Sequence, residues 1–86
     1  MTEPFHPVNA KCLIRQILDT GEVSFSQHAL TEMTADDLTT VDCVNVLRGG
    51  VVEEPEWERG SWRYRVRTAR IYVVVVFLYP HGGGPV

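Results

Sequence analysis

The sequence predicts an α+β fold, with two to three helices packed on one face of a small three- to four-stranded antiparallel sheet. Three observations lead there. Up to Leu47, apolar residues recur at spacings of three and four, the signature of amphipathic helices. After Gly49-Gly50 the pattern changes to alternation rich in Val, Trp and Tyr, which is the strand signature. The strand-like runs follow one another with short connections, and short connections imply antiparallel neighbours.

The elements follow in order. A first helix is expected from about Asn9 to Asp19, with Ala10, Leu13, Ile14 and Ile17 on one stripe and Gly21 as its stop. Glu22 to Phe25 is a short extended link. A second helix should start after Ser26, a good N-cap, with Phe25 and Leu30 at the positions of a hydrophobic staple. It should end near Met33 or Thr34, and Thr34 to Leu38 forms a polar connection. A third helix is expected from near Thr39, where Thr39 and Asp42 have capping-box spacing. Val41, Val44 and Leu47 mark its stripe and Gly49-Gly50 ends it. Strands are then expected over Val51 to Trp57, Ser61 to Arg67 and Arg70 to Leu78, with turns at Arg59-Gly60 and Thr68-Ala69. Pro55 confines the first of these strands to a sheet edge, because proline cannot donate to a ladder.

Eighty-six residues form one domain, with its core expected over about residues 9–79 and a frayed tail over 80–86. At 44% hydrophobic and 22% charged residues the chain has a soluble globular composition. Its longest apolar run, Ile71 to Tyr79, is too short for a membrane-spanning helix, which needs roughly 20 residues. Met1-Thr-Glu-Pro lacks the basic, apolar character of a secretory leader, so the cytoplasm is the expected location. Cys12 and Cys43 lack metal-ligand spacing and are expected as buried small side chains within helices. Neither a metal cluster nor a phosphate-binding glycine loop is visible, and no cofactor is expected.

Arg59 to Arg70 concentrates the basic charge, holding five of the eight Lys and Arg residues. Arg63, Arg65 and Arg67 alternate with Trp62, Tyr64 and Val66, giving a strand with one guanidinium face and one apolar face. Planar guanidinium groups on a rigid strand suit phosphate binding. The net charge of −3 argues against a broadly basic nucleic-acid surface, and Glu53, Glu54, Glu56 and Glu58 lie just upstream. If Arg59-Gly60 is a two-residue hairpin loop, Glu56 opposes Arg63 and Glu54 opposes Arg65. Such a ladder would neutralise the arginines at roughly 0.2–1 kcal/mol per pair. A one-residue bulge would shift the pairing and free them. Both readings stand at this point.

Ile71, Val73, Val75 and Phe77 join the core face, while Tyr72, Val74, Val76 and Leu78 share the arginine side. A last strand apolar on both faces is an exposed edge suited to pairing with another chain, and Val74, Val76 and Leu78 are the expected partner-binding residues. Elsewhere, His28 falls at N2 of the second helix, where the positive end of the dipole favours an uncharged ring. Glu32 lies one turn on and can orient it.

Ser26-x-His28-Ala29-x-x-x-Met33, then Asp37-Leu38-Thr39-x-x-Asp42-Cys43-x-x-Val46-Leu47-x-Gly49, then Trp62-Arg63-Tyr64-Arg65-Val66 and the valine strand resemble a bacterial family. It is domain-of-unknown-function family 4258, which looks like the BrnT, MqsR and RelE types of toxin in type II toxin–antitoxin systems. The resemblance covers roughly Val23 to Phe77. It implies a RelE/BrnT-like fold, metal-independent endoribonuclease action on messenger RNA, and neutralisation by a cognate antitoxin, which in this family often has a zinc-finger part. Family members usually continue past the valine strand into a further strand; here Tyr79-Pro80 leads into glycines, so that strand is expected to be left uncovered.

Metal-free RNA cleavage needs a base for the 2′-hydroxyl, cations for the charged phosphorane and an acid for the leaving oxygen. The expected catalytic set is His28, Arg63, Arg65 and Tyr72, with Arg67 and Arg70 binding RNA. Tyr64 is a weaker candidate because its side chain faces the core. RNA, an antitoxin, the ribosome and a second copy through the edge strand are the expected partners, and a membrane is not. The competing class is a non-catalytic or degenerate toxin-like module that binds a partner or dimerises through its last strand.

Overall fold

A computed structural model describes residues 2–79. It has helices α1 (Pro7–Thr20), α2 (Gln27–Ala35) and α3 (Thr40–Gly49), then strands β1 (Val51–Val52), β2 (Glu56–Glu58), β3 (Ser61–Arg67) and β4 (Tyr72–Val75). The α+β class and the four-stranded antiparallel sheet agree with the sequence pattern. β3 is central. β1 and β2 lie in line along one side of it and β4 along the other. The expected tail over 80–86 lies outside the described residues.

The single strand expected over Val51 to Trp57 is broken in two, and the register explains why. Glu58 pairs with Ser61, Trp57 with Trp62 and Glu56 with Arg63, as a two-residue loop requires. Arg59 at φ 51° and Gly60 at φ 80° supply the two left-handed residues of such a turn. At the other end Val51 pairs with Arg67 and Val52 with Val66, and the Glu53 N–H donates to the Arg65 carbonyl at 2.9 Å. Glu54 and Pro55 are therefore both accommodated opposite Tyr64, which makes a one-residue bulge at the residue with no N–H to offer. The expected pairing of Glu54 with Arg65 is corrected: Glu53 takes that place.

The second turn also falls later than Thr68-Ala69. The Thr68 N–H donates to the Ile71 carbonyl at 2.8 Å, so Ala69 and Arg70 form the tip and Arg67 pairs with Tyr72. Relative to a Thr68-Ala69 loop the register moves by two residues, which preserves the faces. Ile71, Val73 and Val75 still pack on the core side. β4 ends at Val75 rather than Leu78, so Val76 and Leu78 lie beyond the strand.

α1 and α3 cover the sheet. Ala10, Leu13 and Ile14 of α1 meet Val46 and Leu47 of α3 over Val52, Tyr64, Val66 and Phe77. Two cations four residues apart on α1 secure the end of α3: Lys11 Nζ donates to the Gly50 carbonyl at 2.6 Å and the Arg15 guanidinium to the Arg48 carbonyl at 3.2 Å. Thr39 and Asp42 form the expected capping box. The α3 stripe runs through Cys43, Val46 and Leu47, whereas Val41 is 66% exposed, a correction of its expected inward place. Cys12 is exposed as well, against expectation, while Cys43 is buried.

The N-terminal segment belongs to the core. His6 caps α1, its Nδ1 accepting from the Val8 N–H at 3.2 Å, and Pro7 opens the helix. Phe5 is buried between Tyr64 and Phe77, with ring centroids 6.1 and 5.6 Å away. The buried Tyr64 hydroxyl accepts from the Phe5 N–H and donates to Glu3 Oε1, both at 2.9 Å. The Tyr79 hydroxyl donates to the other oxygen of Glu3.

Candidate functional site

α2 is attached more sparsely than its neighbours. Only Met33 among its residues is buried, and Met33 lies outside the main core cluster. Its start is well made: Ser26 Oγ accepts from the Ala29 N–H at 3.1 Å and sets the helix direction. That cap places His28 at N2 and Glu32 one turn on. His28 Nε2 lies 3.1 Å from Glu32 Oε1, with the imidazole 83% exposed. The two side chains form an i, i+4 pair on the exposed face of α2.

An open cleft of about 900 Å³ runs between α2 and β4. His28, Arg63, Arg65, Tyr72, Val74, Val76 and Leu78 all line it, so seven of the nine expected site residues share one concavity. Arg67 and Arg70 line a smaller hollow of about 380 Å³ around the β3–β4 turn, where Arg65 and Tyr72 also reach. The two hollows meet along Arg65 and Tyr72, and the Arg65 guanidinium carbon stands 5.0 Å from the Tyr72 ring centroid.

The arginines are not equivalent. Glu53 binds two of them, with its carboxylate 2.5 Å from Arg67 Nε and 3.9 Å from Arg65 Nη1. The bulge at Glu54-Pro55 creates this arrangement by bringing Glu53, rather than Glu54, opposite Arg65. Arg63 is opposite Glu56 in the register, yet among the described residues it forms no ion pair, and its Nε donates to the Glu58 carbonyl at 3.3 Å. Among Arg63, Arg65 and Arg67, Arg63 is thus the one without an ion pair among the described residues, and it is half-buried. Glu53 is the residue that sequence reasoning missed. Pro55 was its signal, since a proline inside a strand run marks a bulge as readily as an edge.

Tyr64 is fully buried by its core-facing side, and burial pushes its hydroxyl up to about 12, with the Glu3 carboxylate adding to the effect. It is a structural hydroxyl, distinct from the 62%-exposed Tyr72. Among the described residues no three His, Cys, Asp or Glu side chains are grouped to hold a metal ion, and no helix is long and apolar enough to cross a membrane. No family model, curated protein or solved structure matches the chain.

Proposed function

We propose that this chain is the toxin component of a type II toxin–antitoxin system and cleaves messenger RNA without a metal. The observation that carries the reading is the placement of His28, Arg63, Arg65 and Tyr72 on one cleft. The His28 imidazole takes the proton of a 2′-hydroxyl, the freed oxygen attacks the adjacent phosphorus, and the bond from phosphorus to the 5′-oxygen breaks. The leaving oxygen receives a proton from the imidazolium so formed or from the Tyr72 hydroxyl. Arg63 and Arg65 stabilise the charge on the phosphorane. Arg67 and Arg70 hold the neighbouring strand. A cognate antitoxin restrains the activity in the cell, and the ribosome is a candidate partner in presenting the message.

Expression in a bacterial host together with cleavage of a purified transcript tests this. The parent should arrest growth and cut RNA. His28→Ala should lower the cleavage rate by about 100- to 10,000-fold, the range for losing a general base. Arg63→Ala should lower it without altering thermal stability. A parent chain that does neither would exclude the nuclease.

A second reading has its own support. With Arg65 and Arg67 held by Glu53, the chain has the features of a non-catalytic, toxin-like module that binds a protein partner. On that reading the parent and His28→Ala chains behave alike.

A further inference from the structure

The direction of the backbone groups in β4 follows from two hydrogen bonds. Thr68 N–H to Ile71 C=O fixes one end of the β3–β4 ladder, and Glu53 N–H to Arg65 C=O fixes which residues of β3 face β1. Bonds in an antiparallel pair alternate. Tyr64 and Val66 therefore turn their backbone groups toward Val75 and Val73, their register partners. The N–H and C=O groups of Tyr72 and Val74 point the other way, off the sheet, and β4 has no second neighbour among the described strands.

This edge is short but lacks two of the usual protections, charge and proline. Ile71 to Tyr79 contains no charge and no proline. Tyr72 and Val74 are 62% and 43% exposed, and Leu78 beyond the strand is 79% exposed. The edge opens into the cleft, whose far wall is α2. The walls are acidic: Glu22, Glu32 and Asp36 lie on the helical side and Glu54, Glu56 and Glu58 on the sheet side. Once Glu53 is set against Arg65, Arg59 and Arg63 are the guanidinium groups left to oppose them.

We propose that the β4 edge accepts an extended segment of another protein as an added strand, an apolar segment flanked by Lys or Arg and seated between β4 and α2. Main-chain bonds to Tyr72 and Val74 supply the register, alternate apolar side chains cover the exposed valines, and the flanking cations meet the acidic walls. The same charge disfavours a second copy of this chain, which brings an identical acidic surface. The inference stands whether or not the chain cleaves RNA; if it does, the added strand covers the cleft that holds His28 and Arg63, and that consequence alone rests on the nuclease reading.

The test uses the whole chain and fluorescent ten-residue peptides of alternating valine and threonine, ending in two lysines or in two glutamates at each terminus. Amide exchange is read alongside fluorescence anisotropy. The lysine-ended peptide should bind at least tenfold more tightly than the glutamate-ended one and should slow exchange at Tyr72 and Val74. Val74→Pro removes one outward N–H while leaving the ladder to β3 intact, so it should fold with normal exchange at Val73 and Val75 yet lose tenfold or more in peptide affinity. Equal binding by Val74→Pro, or no slowing at Tyr72 and Val74, would overturn the proposal. Protection of those amides in the free chain that rises with its concentration would make a second copy the occupant. Protection by an RNA oligonucleotide, and not by peptide, would make it RNA. Loss of RNA cleavage in the unliganded chain bears on the nuclease alone.

Discussion

The two ends of this small sheet are built differently. Along β1 and the middle of β3, the sheet is sealed by α1, α3 and the N-terminal segment, and among the described residues every buried side-chain N or O atom has a hydrogen-bond partner. Tyr64 is fully buried and its hydroxyl is used twice, by Phe5 and by Glu3. Along β4 the sheet opens into a cleft, with one buried methionine from α2 and a row of outward backbone groups. The closed side holds residues whose removal should cost stability. The open side holds residues whose removal should leave the fold intact and change what the chain binds. That division separates the residues that hold the core from those left at the open edge of the sheet.

The sharpest way to break the comparison is to cut one large side chain from each side. Tyr64→Ala removes a fully buried aromatic ring and leaves the Phe5 N–H without its acceptor, so it should lower the unfolding free energy by about 3–5 kcal/mol. Met33→Ala is also a buried truncation, but one wall of its site is the cleft, where water can enter. Its cost should stay near or below about 2 kcal/mol, the low end for such changes. Urea titrations of the two variants measure both values, and equal losses would abolish the distinction.

A smaller effect probes the seam that closes the first side. A Cβ added at Gly50 would sit 2.6 Å from the Val46 carbonyl oxygen and 2.9 Å from that of Arg67, both backbone atoms that cannot turn aside. Gly50→Ala should therefore destabilise by about 1–3 kcal/mol through crowding. Gly49→Ala one residue earlier meets open space and serves as the control.

Alkaline pH separates the sides in another way. The Tyr64 hydroxyl is raised from 10 to about 12, first by burial and then by the Glu3 carboxylate, against the opposing pull of the Phe5 N–H. The fold thus favours the protonated phenol. That stabilisation is complete below pH 10, and it is lost as pH rises from 10 toward 12, by up to about 3 kcal/mol. Tyr79 is raised too, by burial and by its hydrogen bond to Glu3, and should contribute in the same direction. Tyr64→Phe should start less stable at neutral pH and lose less across this window, as read by denaturant midpoints at several pH values.

Much of this arrangement was legible in the chain. Arg59-Gly60 admits one tight register, and Thr39 and Asp42 encode a cap through local chemistry alone. Cys12 was misread even though its own helix pattern excluded it. Ala10, Leu13, Ile14 and Ile17 define a stripe, and residue 12 points away from it. Phe5 and Glu3 could not be read from periodicity, because three residues before a helix have none. The bulge was half legible: Pro55 announces an irregularity without saying which neighbour is displaced, and that choice decided which glutamate meets the arginines. The placement of His28 on its helix was readable from Ser26. Its sharing a cleft with Arg63 was not, because that depends on how the connection through Asp37 sets α2 against the sheet.

The smallest expected change in stability is the most informative about the open side. Glu53 is two-thirds buried and lies against Arg65 and Arg67, next to the Glu54-Pro55 bulge. Glu53→Gln keeps the size of the side chain and removes its charge. Exposed ion pairs of this kind contribute about 0–1 kcal/mol, so the urea midpoint should hardly move. The binding surface should change more. Two guanidinium groups are released beside Arg63 and Arg70, and affinity for a short single-stranded RNA should rise, with a steeper dependence on salt. Affinity for a lysine-flanked strand peptide should fall, because the acidic wall has lost a charge. Opposite shifts for the two ligands would show that Glu53 sets the balance between them. Shifts in the same direction would mean that one face of the sheet, rather than its charge, governs binding.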